Sequence, residues 1–101
     1  MKALEYLMGA YFHQDYDIDG GTSADTVASF TRERTELVRS CVDDIETLLS
    51  QSLPEGELRA MLHAWGCDYV AGDHDQDYRD WLREIRDQLD EHLGQPGGGS
   101  A

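Results

Sequence analysis

A chain of 101 residues can form one small domain with a single core. Its apolar fraction of 40% and charged fraction of 29% are ordinary, but Asp and Glu number 21 against 8 Lys and Arg. The resulting formal net charge of −13 repels nucleic-acid phosphates and favours encounter with a basic protein. We therefore expect a protein partner and no nucleic-acid partner.

The sequence lacks the usual marks of secreted and membrane proteins. It has no basic-then-apolar start of the signal-peptide type, and no apolar run approaches about 18 residues. Two cysteines, Cys41 and Cys67, are too few for a disulfide framework. We expect a cytoplasmic protein without membrane contact, in which both thiols stay reduced.

Apolar spacing predicts two helices in the first third of the chain. The first covers 2–14, because its apolar residues recur at the spacing of one helix face. These residues are Leu4, Leu7, Met8, Tyr11 and Phe12. An acidic loop over 15–22 follows, and Thr22 or Ser23 is a natural cap for a short helix that presents Val27 and Phe30 inward.

Three further helices are predicted beyond the polar stretch 31–35. The longest apolar stripe lies over 36–52, and a fourth helix runs from about Pro54 to Gly66. After an acidic loop over 67–76, the last helix covers about 76–93. No stretch demands a strand, so the predicted fold is all-α, an irregular bundle of four to five helices. We expect one domain over 1–94 and a flexible Gly-rich tail over 95–101.

Two acidic triplets resemble parts of calcium loops. Asp15, Asp17, Asp19 and Gly20 fill positions 1, 3, 5 and 6 of an EF-hand loop, but Thr26 stands where a bidentate Glu is needed. The second triplet is Asp73, Asp75 and Asp77, and it lacks the loop glycine. A calcium-binding helical module using the first loop is therefore the alternative hypothesis, and no cofactor is predicted.

Catalytic signatures are missing from the sequence. His63 and Cys67 are four residues apart, but Gly66 is expected to end the helix before the two side chains can pair. The four histidines are too dispersed to indicate a zinc site, and the sequence has no glycine-rich phosphate loop. We predict a protein that is not an enzyme and has no catalytic residues.

At Tyr11-Phe12-His13-Gln14-Asp15, followed by Tyr16, the sequence resembles the small bacterial immunity proteins of contact-dependent growth inhibition systems. The resemblance covers about residues 3–90 and includes the long 36–52 helix and a late Tyr-x-x-Trp-Leu helix. It implies a binding protein that neutralises the C-terminal toxin domain of a cognate effector in the recipient cytoplasm. We interpret the motif itself as structural, because Tyr11 and Phe12 lie on the apolar stripe.

The toxin contact is predicted from charge and residue type. An acidic surface can occlude a basic toxin site, including that of a nuclease, and a tyrosine among acids suits an Arg-rich partner. The predicted contact residues are Asp15, Tyr16, Asp17, Asp19, Asp73, Asp75 and Asp77.

Overall fold

A computed structural model describes residues 1–12 and 22–94, and these residues form five α-helices and one π-helix with no strand. The elements in chain order are α1 (Lys2–Tyr6), the π-helix (Leu7–Tyr11), α2 (Ser23–Phe30), α3 (Thr35–Leu49), α4 (Glu57–Ala64) and α5 (Asp75–Gly94). The predicted all-α class is confirmed. Most of the predicted acidic loop, residues 15–21, and the predicted tail over 95–101 lie outside the described residues.

Helix α3 occupies the middle of the bundle, as its apolar stripe predicts. It packs mainly against α5 and α1, while α2 and α4 lie against α5. The inward stripe of α3 consists of Val38, Cys41, Val42, Ile45 and Leu48, each at most 5% exposed. Arg79 of α5 reaches the carboxyl end of α3 and donates to the carbonyl oxygens of Leu49 and Gln51 at 3.5 and 3.4 Å. A cation in this place suits the negative end of the helix dipole.

Of two helix starts, the first agrees with the sequence prediction and the second differs from it. Thr22 is the N-cap of α2, and Thr22 and Asp25 form a reciprocal capping box. Helix α4 begins at Glu57 rather than near Pro54, because Pro54 and Glu57 close a turn and Gly56 takes a positive φ of 90°. A turn at this point lets the first amides of α4 face the start of α5.

The π-helix passes very close to the carboxyl end of α4. A Cβ added at Gly9 would lie 2.8 Å from the carbonyl oxygen of Trp65. Gly66, with a φ of 101°, faces the Cα of Gly9, and a Cβ added there would lie 3.0 Å from it. The glycine at position 9 therefore permits a backbone contact that a side chain would block. This contact fixes the place where the chain leaves the π-helix at Phe12.

Candidate partner-binding surface

The predicted contact residues fall into two groups. Asp15, Tyr16, Asp17 and Asp19 lie outside the described residues, as do His13 and Gln14 of the motif, so their roles stay predictions. The second triplet lies at the start of α5, where Asp73 is exposed and Asp77 is half-buried. The carboxylate of Asp77 accepts from the backbone N–H of His74 at 3.2 Å, which stabilises the first turn of α5.

Asp75 has a different environment from its two neighbours in the triplet. It is only 4% exposed, and its Oδ2 accepts from the backbone N–H groups of Gly56 and Leu58 at 2.9 and 3.2 Å. Its Oδ1 lies 3.3 Å from Nε of Arg59, while Glu55 in return accepts from the Asp75 backbone N–H at 3.1 Å. Because this carboxylate is used inside the protein, Asp75 offers no surface to a partner, and we leave it out of the proposed contact.

Phe12 and Asp68 join the two acidic stretches of the chain. The backbone N–H of Asp68, in the α4–α5 connection, donates to the carbonyl oxygen of Phe12 at 2.7 Å. Phe12 is fully buried, and its ring centroid lies 5.0 Å from that of Trp81. On the other side of residues 13–21, Ser23 accepts a 2.7 Å hydrogen bond from the Trp81 indole. Both flanks of this acidic segment are therefore anchored on Trp81, beside the α4–α5 connection.

Positive charge is segregated away from this region in the sequence. The ranges 3–31 and 60–78 contain no Lys or Arg, and both predicted acidic triplets belong to these ranges. The Phe12–Asp68 hydrogen bond brings the two ranges together at these two residues, so the surface around Asp68 has no neighbouring Lys or Arg along either stretch of the chain. Such a surface attracts a basic partner.

Two exposed residues of the α4–α5 connection escaped the sequence analysis. The segment 67–71 alternates, with Cys67 buried and Tyr69 stacked on Trp81 at 4.5 Å, while Asp68 and Val70 point outward. Val70 is 66% exposed, the largest exposed fraction of any large apolar side chain among the described residues. The sequence could not reveal this exposure, because Val70 stands between the apolar residues Tyr69 and Ala71.

Two tyrosines, Tyr6 and Tyr11, contact Glu33 on another part of the surface. The hydroxyls of Tyr6 and Tyr11 both donate to Oε2 of Glu33, at 3.0 and 2.5 Å. These two bonds hold the pKa of Glu33 below its ordinary value of 4.5, and the bond from Tyr11 has the larger effect. Burial and the bond to Glu33 raise the pKa of Tyr11. Tyr11 thus ties the π-helix to the α2–α3 connection, which agrees with a structural use of the motif.

The His63–Cys67 pair does not form a nucleophilic site. Nδ1 of His63 lies 2.9 Å from the backbone oxygen of Cys67, not from its sulfur. Cys67 is 1% exposed, and burial raises the pKa of its thiol to about 11. A thiol of this kind remains protonated at neutral pH and is a poor nucleophile.

The described residues also bear on metal binding and membrane insertion. In 1–12 and 22–94, no group of three or more His, Cys, Asp or Glu side chains could hold a metal ion. The inward carboxylate of Asp75 explains why the second acidic triplet does not converge on one point. The first triplet, and with it the calcium hypothesis, falls outside these residues. No helix in the described ranges is long and apolar enough to span a bilayer.

Comparison with known proteins identifies a family and a similar solved structure. Residues 1–89 match the family model described as CdiI immunity protein. This chain is also similar to a chain in the crystal structure of the CdiA-CT/CdiI complex from Y. kristensenii 33638, with a TM-score of 0.75 and 29% sequence identity. That alignment covers 87% of this chain and 96% of the other. A search of curated proteins finds no match.

Proposed function

This chain belongs to the CdiI immunity protein family, and we propose that it neutralises a cognate toxin domain by covering a basic surface with its own acidic one. The similar chain of known structure comes from a complex of CdiA-CT with CdiI, which supports a toxin C-terminal domain as the partner. The resemblance stated from the sequence is thereby confirmed. We place the action in the cytoplasm and assign the chain no catalysis of its own.

The hydrogen bond between Asp68 and Phe12 carries the proposed location of the interface. It brings the α4–α5 connection, with exposed Asp68 and Asp73, beside the point where the acidic segment 13–21 begins. The proposed contact therefore comprises Asp68, Asp73 and the partly exposed Asp77, together with Asp15, Tyr16, Asp17 and Asp19. Carboxylates gathered in this way can occupy the positions that substrate phosphates take in a basic toxin cleft.

The test uses the C-terminal toxin domain of the cognate effector. Growth under co-expression and association kinetics of the purified proteins are measured for the wild-type chain and for Asp68→Lys/Asp73→Lys. The wild-type chain should protect the cells, and the double variant should associate at least tenfold more slowly, because a basic partner is no longer steered to this surface. A second variant reverses Asp15, Asp17 and Asp19 together and should show the same defect.

The matched control reverses two exposed carboxylates elsewhere, Glu46→Lys and Asp90→Lys. Neither side chain makes a hydrogen bond or an ion pair with the described residues, and Asp90 lies about 22 Å along α5 from its start. If the control and the acidic-loop variants lose protection equally, the proposed location of the interface is wrong. If the wild-type chain neither binds nor protects against this domain, the proposed partner is wrong.

A further inference from the structure

We propose that Val70 is the apolar anchor of the toxin contact, and that it enters a small apolar pocket of the toxin domain whose rim carries Lys or Arg. This inference rests on the proposed function and assigns a residue to it. Val70 is 66% exposed and lies between Asp68 and Asp73 in a connection that contains no Lys or Arg. An apolar centre with a charged rim is the usual anatomy of a protein interface.

The backbone around Val70 is held from both sides. Before it, Cys67 is buried, the Asp68 N–H is bonded to Phe12, and the Tyr69 ring stacks on Trp81. After it, the backbone of Ala71 lies near the phenol of Tyr78 and opposes the rise that burial causes in the pKa of Tyr78. Val70 is thus presented on a fixed backbone with one side-chain torsion. A group presented in this way loses little entropy on binding.

The charge around Val70 distinguishes it from Tyr6, the other large apolar side chain that is exposed among the described residues. Tyr6 is 42% exposed, and its hydroxyl is already bonded to Glu33, whose sequence neighbours are Arg32 and Arg34. Two exposed arginines make that area a poor site for a basic partner. Apart from His74, the charged side chains of residues 67–77 around Val70 are all carboxylates.

The experiment measures the dissociation rate of the complex with the cognate toxin domain, and the thermal unfolding of the free chain. Val70→Ala removes two methyl groups, and Val70→Thr keeps the shape but replaces one methyl group with a hydroxyl. Tyr6→Ala is the comparison at the other exposed apolar side chain. The rate should rise at least fivefold in both Val70 variants and stay within twofold of wild type in Tyr6→Ala. The melting temperatures of the Val70 variants should equal that of the wild-type chain, since an exposed side chain contributes little to folding.

Three results would overturn the proposal. One is an unchanged dissociation rate in both Val70 variants while the wild-type complex forms. Another is a larger effect from Tyr6→Ala than from Val70→Ala. The third is a clear fall in the melting temperature of Val70→Ala, which would mean that Val70 packs within its own chain. Failure of the wild-type chain to bind would instead reject the proposed partner.

Discussion

At the scale of single residues, the two cysteines are apolar core members rather than reactive groups. Cys41 is fully buried, and burial raises the pKa of its thiol to about 12. For Cys67, a pKa of about 11 leaves about 0.1% of thiolate at pH 8. We expect negligible reaction of the native chain with a thiol reagent such as DTNB, and release of two equivalents after denaturation in guanidinium. Fast labelling of one thiol in the native chain would contradict this description.

Glu33 is expected to make part of the stability depend on acid pH. Because the Tyr11 and Tyr6 hydroxyls lower its pKa in the folded chain, its contribution is present above about pH 4.5 and is lost as the pH falls through the folded-state value. Glu33→Gln keeps an acceptor for the hydroxyls but removes the charge. The melting temperature of the variant should lie below that of wild type at pH 7, and this gap should narrow as the pH falls below about 4.5. A gap that is constant with pH would contradict the assignment.

At the scale of elements, acids of one part of the chain stabilise the starts of helices elsewhere in it. Asp75 accepts from the first amides of α4, Glu55 accepts from the first amide of α5, and Asp44 accepts from the Leu4 N–H in α1 at 3.1 Å. Asp75→Ala would leave Gly56, Leu58 and Arg59 without this acceptor. We expect a loss of about 3 kcal/mol in the free energy of unfolding, measured by urea titration.

The neighbouring exposed acid provides the control for that change. Asp73→Ala should alter the free energy of unfolding by less than about 0.5 kcal/mol, because the side chain is exposed. Equal effects of Asp73→Ala and Asp75→Ala would contradict the assigned cap.

Gly9→Ala should change the free energy of unfolding in the direction opposite to that expected from helix propensity. An exposed helical Gly changed to Ala should stabilise by about 1 kcal/mol. Gly9→Ala should instead destabilise by about 1–3 kcal/mol, since its Cβ would collide with the Trp65 backbone. Gly94→Ala, with no atom within 4 Å of the added Cβ, is the control and should be neutral or stabilising in urea unfolding. A stabilising Gly9→Ala would show that the close approach is absent.

The sequence could predict the helices but not the carboxylates that cap one helix from another part of the chain. The stripes of α3 and α5 lie inward as expected, because periodic burial depends on local spacing alone. The role of Asp75 depends on the turn before α4 lying beside the start of α5, and only the tertiary structure shows this. The exposure of Val70 likewise depends on the tertiary structure. For this reason the sequence prediction grouped Asp75 with the exposed Asp73 and the half-buried Asp77 and did not single out Val70.

At the scale of the whole molecule, few cations are free to offset the acidic surface. Arg59 is bonded to Asp75, Arg79 caps α3, and Arg83 and Arg86 lie 3.0 Å from Asp80 and Asp87. The remaining four of the eight cations, all exposed, belong to α1 and to the region around the start of α3, away from the acidic loops in sequence. The electrostatic field of the molecule is therefore asymmetric as well as negative.

This asymmetry predicts how salt affects binding of the toxin domain. Raising ionic strength from about 25 mM to about 500 mM should slow association at least tenfold, and change the dissociation rate much less. Asp68→Lys/Asp73→Lys and Glu46→Lys/Asp90→Lys both change the net charge from −13 by four, to −9, because each Asp or Glu to Lys change adds two charges. If steering depends on where the charge lies, only the first pair should flatten the salt dependence measured by stopped-flow. Equal slopes in both variants would mean that net charge alone guides the encounter, and that the acidic loops have no special part in it.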